Sequence, residues 1–202
     1  VGLDIRRFFD ETNEAAAASV FGRLCGVSAE EVELLCKLCC LDDGLPQGAP
    51  TSPCIANLYF EPADVALLAY AKGHGLRYSR YADDLALSGA KVPEDLFDTV
   101  ATICASLGYT LVDSKTRVLG SGMRQVVTGL VVNQGLSAPR SLRRRLRAIL
   151  DSARREGLLT ALERAEMSED RLSGLISWIA LSDAALGQRL RSELNAMGPV
   201  TP

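Results

Sequence analysis

Tyr78-Ser79-Arg80-Tyr81-Ala82-Asp83-Asp84-Leu85-Ala86-Leu87-Ser88 sets two adjacent carboxylates between two short runs with strand character. Tyr78, Tyr81, Leu85 and Leu87 suit a pleated, half-buried backbone, and the polar pair between them predicts the tip of a β-hairpin. Such a tip holds its side chains on a short, stiff support. Two like charges side by side repel, so a fold that keeps them close needs a cation to offset them, and a divalent metal is the natural candidate. Two aspartates alone read first as a solvated turn; the rest of the chain changes that weighting.

Upstream, Val1-Gly2-Leu3-Asp4-Ile5 reads as a strand ending in a carboxylate. Arg6-Arg7-Phe8-Phe9-Asp10 leads into a helix expected over Ala15–Leu24 and ended by Gly26. Ser28 and Glu31 form a capping box for a second helix, with Val32, Leu35, Cys36 and Cys39 facing inward, that stops at Asp42-Asp43-Gly44. Leu45-Pro46-Gln47-Gly48-Ala49-Pro50-Thr51-Ser52-Pro53 then excludes regular structure, and Gly48 lets another molecule approach the backbone. Ile55, Leu58 and Tyr59, then Val65, Leu67 and Leu68, predict a helix packed on a sheet.

Downstream of the hairpin, Pro93 opens a helix with Leu96, Val100, Ile103, Cys104 and Leu107 inward and Gly108 as its stop. Tyr109–Val112 is strand-like and runs into Asp113-Ser114-Lys115. A second hairpin is expected from 117–119 and 125–132 around Gly120-Ser121-Gly122. From Pro139 the chain reads as helical: Leu142, Leu146, Ile149 and Leu150 make one apolar stripe, and further helices are expected near 159–166, 169–181 and 183–196. A soft boundary falls at 137–139, giving expected domains of 1–136, mixed α and β, and 137–202, all-helical.

The 202 residues, 48% hydrophobic and 23% charged, are ordinary for a globular protein. No apolar run approaches the roughly 20 residues of a bilayer span and no signal peptide is evident, so no membrane partner is expected. Val1 opens directly on a strand, which suggests a piece of a longer chain. Of the six cysteines, Cys36, Cys39 and Cys40 share a helix face; with Cys25, Cys54 and Cys104 they read as buried free thiols in a reducing compartment, so a cytoplasmic protein is expected. The net charge of −3 hides an asymmetry. Residues 1–65 carry 11 acids against four bases, whereas 139–155 carry seven arginines against Asp151 alone. That basic block suits a phosphate backbone or a solvated helix face.

Asp4, Asp83 and Asp84 converge if their strands are neighbours, and hard oxygen ligands of this kind suit Mg²⁺. At this point the residues carry a resemblance. Tyr81-Ala82-Asp83-Asp84 looks like the catalytic signature of reverse transcriptases. Leu45 to Pro53, with Asn57 beyond, is similar to the loop preceding that signature in bacterial members, and Asp4-Ile5-Arg6-Arg7-Phe8-Phe9 resembles their first catalytic segment. Val127-Thr128-Gly129-Leu130-Val131 with Asn133 resembles the retron group.

The resemblance implies an α+β polymerase palm, an antiparallel sheet with packed helices and a catalytic hairpin, followed by a helical thumb. It implies RNA-directed DNA synthesis by two-Mg²⁺ nucleotidyl transfer, with an RNA template, a DNA or RNA primer and dNTP as partners. Asp4 and Asp83 would be the main metal ligands, Asp84 a weaker contributor, and the Ile5 carbonyl part of the shell. Phe9 would exclude a 2′-hydroxyl. Gln47 and Gly48 would contact nucleotide and template, and Lys115 would serve the pyrophosphate leaving group. Val127, Thr128 and Gly129 would grip the primer, and Arg140, Arg143, Arg144 and Arg147 would lie on the duplex.

In that family a fingers region precedes the first catalytic segment, and it is expected to be missing here. A non-catalytic nucleic-acid-binding fragment is therefore the competing reading from another class. A group II intron or diversity-generating reverse transcriptase is the runner-up among enzymes, and Val127-Thr128-Gly129 argues against it. A retron membership would bring a cognate non-coding RNA, an effector protein and antiviral defence as partners and role.

Overall fold

The computed structural model describes residues 1–197, without the side chains of Leu24 and Cys25. The chain forms two compact units, 1–118 and 119 onward.

The first unit is built on a small antiparallel sheet of order β1-β3-β2, from β1 (Gly2–Asp4), β2 (Arg77–Tyr81) and β3 (Asp84–Ser88). Register pairs Leu3 with Leu85 and Leu85 with Arg80, so these three share the face turned to the core. Asp4, Asp84 and Tyr81 form the next row and face the other way. Helices α1 (Phe8–Glu11), α2 (Glu14–Cys25), α3 (Ala29–Cys39), α4 (Ser52–Gly73) and α5 (Leu96–Ala105) complete the unit.

Its core joins Leu3, Ile5, Leu85 and Leu87 of the strand segments to Phe60 and Leu67 of α4 and Leu96 and Val100 of α5. The capping box forms as expected: the Ser28 amide donates to Glu31 and the Glu31 amide to Ser28 Oγ. α4 runs unbroken through Pro62. The proline ring removes the amide that would bond the Leu58 carbonyl, and the Arg23 guanidinium donates to that carbonyl instead, at 2.9 Å.

The second unit holds a two-stranded hairpin, β4 (Val126–Val127) and β5 (Leu130–Val131), and helices α6 (Arg140–Glu156), α7 (Leu158–Arg164), α8 (Glu169–Ser182) and α9 (Ala184–Asn195). Leu146, Ile149 and Leu150 of α6 pack with Leu172, Ile176, Ile179, Leu190 and Leu194 in a core of its own. Gly187 sits where α9 presses on α8: a Cβ built there would come within 2.6 Å of the Ala180 Cα.

Several expectations change. The second hairpin turns at Thr128-Gly129, not at Gly120-Ser121-Gly122. Both turn residues have positive φ, +47° and +84°, the backbone of a tight two-residue loop. Arg117, expected in that hairpin, bonds across to Gly2 of β1 instead. The compact units part at 118/119, and the hairpin packs with the helical bundle: Gly129 lies against the Trp178 ring of α8.

Tyr109–Val112 is not a regular strand; only Leu111 bridges, to Ile5. In α4 the buried positions include Ala56, Phe60 and Ala63, while Val65 and Leu68 are exposed. Cys36 and Cys104 are buried and Cys39 and Cys40 half-buried, but Cys54 is exposed, and Cys25 lies outside the described side chains. Burial pushes the Cys104 thiol up to about 11.

Candidate active site

Asp4 closes β1 directly opposite Asp84 of β3. The Ile5 amide donates to the Asp83 carbonyl at 2.9 Å, which makes Asp4–Asp84 a non-hydrogen-bonded pair, the closer of the two antiparallel spacings. Like charges facing each other there are destabilising unless offset. Asp83 occupies the two-residue tip between Tyr81 and Asp84. Its neighbour Ala82 is held at φ +51°, where an L side chain costs on the order of 1–2 kcal/mol.

The offsetting charge is Lys115. Segment 110–117 runs along the free side of β1: Arg6 donates to Thr110, Val112 to Asp4, and Gly2 and Arg117 exchange both backbone bonds. A single 3₁₀ turn at Asp113–Lys115 lifts the lysine over the strand end. Its Nζ donates to both oxygens of Asp4, at 2.8 and 2.9 Å. That hydrogen bond, with Asp83 as a further nearby charge, holds the ammonium above its ordinary pKa.

These groups open onto a cleft of about 620 Å³ that Asp4, Ile5, Phe9, Asp83 and Lys115 line together with Gln47 and Gly48. The 45–51 loop reaches it by two anchors. Leu45 donates to the Phe9 carbonyl at 3.2 Å, and the buried Ser52 hydroxyl donates to the Pro46 carbonyl at 2.7 Å. Gly48, at φ +89°, sits where a side chain would be strained. Phe9 is half-buried, its ring edge-on to Phe8 with centroids 5.5 Å apart. Arg6 and Arg7 also line the cleft, and Arg7 pairs with Asp10 at 3.0 Å.

Arg80 and Asp64, which the sequence reading passed over, support this rim from behind. The Arg80 side chain is only 7% exposed. Its Nε donates to Asp64 Oδ1 at 2.9 Å, and one terminal nitrogen donates to Asn57 Oδ1 at 2.8 Å and to the Ala82 carbonyl at 3.0 Å. Tyr78 donates to the same Asp64 at 2.7 Å. The guanidinium also lies over the Phe60 ring, 4.5 Å from its centroid. Burial works against its charge, yet the Asp64 carboxylate outweighs burial and raises its pKa. Breaking one partner of such a pair costs about 3–5 kcal/mol. The signal was available in the alternation: Arg80 holds a register position between inward-facing Tyr78 and Ala82.

The remaining sequence-read residues lie in the second unit. Thr128 and Gly129 form the hairpin tip, with Val127 just before it. Asn133 clamps that hairpin to the preceding loop, accepting from the Gln125 amide at 2.8 Å and donating to the Met123 carbonyl at 2.7 Å. Arg140, Arg144 and Arg147 are exposed on α6, opposite its apolar stripe. Arg143 differs: it is half-buried and its Nε is buried with no hydrogen-bond partner.

Among the described residues, no three carboxylate, imidazole or thiol groups come together closely enough to enclose a metal by themselves. The donors present nevertheless suit a hard, partly hydrated cation such as Mg²⁺, which keeps several waters and takes only one or two carboxylates. Asp4 already pairs with one cation of the protein's own, the Lys115 ammonium.

Residues 33–157 match the family described as reverse transcriptase (RNA-dependent DNA polymerase). The chain is 36% identical over 136 residues to the Retron Ec86 reverse transcriptase of Escherichia coli, covering 66% of this chain and 42% of that protein. It is 35% identical over 171 residues to the Retron Mx162 reverse transcriptase of Myxococcus xanthus, covering 76% and 34%. To the Retron Se72 reverse transcriptase of Salmonella heidelberg it is 28% identical over 214 residues, covering 98% and 55%. The chain thus spans about a third to a half of the length of these relatives. No described helix is long and apolar enough to cross a membrane.

Proposed function

The chain belongs to the reverse transcriptase family, and from that premise we propose that its protein is a retron-type RNA-directed DNA polymerase. It extends a primer 3′-hydroxyl with dNTPs on an RNA template and releases pyrophosphate. One observation carries this reading: Asp4, Phe9, Gln47, Gly48, Asp83 and Lys115, up to 111 positions apart in sequence, line one cleft.

Asp4 and Asp83, with the Ile5 carbonyl and support from Asp84, would be the oxygen donors for two Mg²⁺. The chemistry such ions would supply there is activation of the attacking hydroxyl and charge stabilisation at the phosphate oxygens. Lys115 is held protonated beside Asp4. An ammonium so placed neutralises the triphosphate and has a proton to give the departing pyrophosphate. The Phe9 ring fills the wall where a ribose 2′-hydroxyl would sit. Gln47 and Gly48 present a loop that lets base and template approach.

In the second unit, Val127-Thr128-Gly129 grips the primer. Arg140, Arg144 and Arg147 run along one exposed helix face that suits the duplex backbone. Arg143, half-buried, fits that role least. The palm (1–136) and thumb (137–202) remain functional divisions within this proposal, as do a cytoplasmic location and, for a retron enzyme, a cognate non-coding RNA, an associated effector and a role in defence.

The test is Mg²⁺-dependent primer extension on an RNA template by the complete protein and its Asp83→Asn variant. Extension by the first and none by the folded second is the expected result. Full activity in the variant overturns the reading, and nucleic-acid binding without extension in both favours a binding module.

A further inference from the structure

Asp83 stands on a two-residue tip whose backbone is strained at Ala82, φ +51°. Alanine does not hold that conformation of its own accord. Something outside the turn has to over-determine it. The neighbouring strands fix the Asp83 carbonyl through the Ile5 amide, but the carbonyl between the strained residue and Asp83 is that of Ala82, and its partner is the guanidinium of Arg80.

We propose that Arg80 is a positioning residue: clamped by Asp64 and Asn57 on α4 and stacked on Phe60, it pins the Ala82 carbonyl and so sets the tip from which Asp83 reaches the cleft. The geometry is specific to arginine. A planar fork can engage a carboxylate along one edge and still direct another N–H at a backbone oxygen. Here the carboxylate edge is spent on Asp64, at 2.9 Å from Nε, and the remaining terminal nitrogen splits between Asn57 and Ala82. Lysine keeps the charge but has no fixed fork.

The clamp also couples the tip to the first catalytic segment. Arg80 lies 5.5 Å from the Phe8 ring centroid, and Phe8 precedes the Phe9 that lines the cleft. One buried side chain therefore ties α4, α1 and the β2–β3 turn to one another. The link from this clamp to metal binding rests on the reading of Asp4 and Asp83 as metal ligands; the link to the turn does not.

Amide hydrogen exchange on the 202-residue chain separates the two. In Arg80→Lys the Ile5 amide, bonded to the Asp83 carbonyl at 2.9 Å, should exchange about tenfold faster. The Leu87 amide, bonded to Val1 at 2.9 Å at the other end of the same strand, should hardly change. A residue that merely stabilised the core would speed both together. Adding Ala82→Gly, which accepts positive φ at no steric cost, should restore slow exchange at Ile5 in the Arg80→Lys background.

If Arg80→Lys fails to fold, the double variant Arg80→Met with Asp64→Asn leaves no unpaired buried charge and removes the same donor; it should open the tip in the same way. Mn²⁺ titration followed by electron paramagnetic resonance supplies the functional half, with affinity expected to fall about 10-fold or more in Arg80→Lys. Uniform loss of protection, an unchanged Ile5 amide, or failure of Ala82→Gly to rescue overturns the positioning role. Selective opening of the tip in a chain that never binds Mn²⁺ leaves that role standing and sinks the metal reading instead.

Discussion

Lys115 donates to both carboxylate oxygens of Asp4, at 2.8 and 2.9 Å, across a sequence separation of 111 residues. The contact exists because Arg117 and Gly2 exchange backbone hydrogen bonds and Val112 bonds Asp4, which lays segment 112–117 along the edge of β1. The lysine thereby offsets a row in which Asp4 faces Asp84. The same ammonium lines the cleft, and in the proposed reaction it would meet the phosphates of the incoming nucleotide.

For the complete protein, Lys115→Gln should lower the single-turnover rate of nucleotide incorporation by about 10²-fold, the usual scale of general acid catalysis. The dNTP concentration for half-maximal rate should change less. Rapid-quench measurement of a single incorporation gives both numbers. A loss confined to apparent affinity would make Lys115 a binding group and not a proton donor.

Phe9→Ala should admit ribonucleotides. The ring forms part of the cleft wall next to Gln47 and Gly48, and its removal leaves room for one more hydroxyl. Discrimination between dNTP and rNTP should fall by at least about 10-fold, read as the ratio of kcat/KM values. Unchanged discrimination would move the sugar gate elsewhere.

Removing exposed arginines from α6 should weaken nucleic-acid binding through the backbone alone. Arg140→Ala and Arg144→Ala should each reduce the slope of log K against log salt by about one, with little change in sequence preference. Filter binding of an RNA–DNA duplex across a salt series reads this directly. Arg143→Ala, from a half-buried position, should change that slope less than either.

Gly187→Ala should destabilise the helical unit. The new Cβ would stand 2.4 Å from the Ala180 Cβ and 2.6 Å from its Cα, so α8 and α9 must move apart. Overpacking of this kind costs about 1–3 kcal/mol. Thermal or urea unfolding of the chain should show the loss. Gly174→Ala, at a helical glycine with open space around it, is the control expected to be neutral or slightly stabilising.

Much of the lining of this candidate site was legible without coordinates. Asp83 and Asp84 stand out because a polar pair interrupts strand alternation. Gln47-Gly48 stands out because prolines on both sides forbid a helix there, and the Ser28–Glu31 capping box was read to the residue. Arg80 was missed because a charged residue in a strand normally faces water; its burial depends on Asp64, sixteen residues earlier on a helix that the sequence does not orient. The second hairpin was misplaced because Gly120-Ser121-Gly122 is the louder turn signal. The real turn, Thr128-Gly129, is selected by pairing of Val126 with Val131 and of Val127 with Leu130.

Taken by itself, the sequence determined which residue types this protein can bring to the cleft, where most of its helices lie, and the first hairpin. Those properties follow from local periodicity, backbone preference and the chemistry of single side chains. Only the tertiary structure decided that Asp4 faces Asp84, that Lys115 closes on Asp4, that Arg80 is buried behind the tip, and that the Thr128-Gly129 hairpin belongs to the helical unit. Each of these depends on strand register or on a partner far away in sequence. A one-residue slip of β2 or β3 would turn Arg80 or Asp84 to the opposite face of the sheet without altering the composition at all.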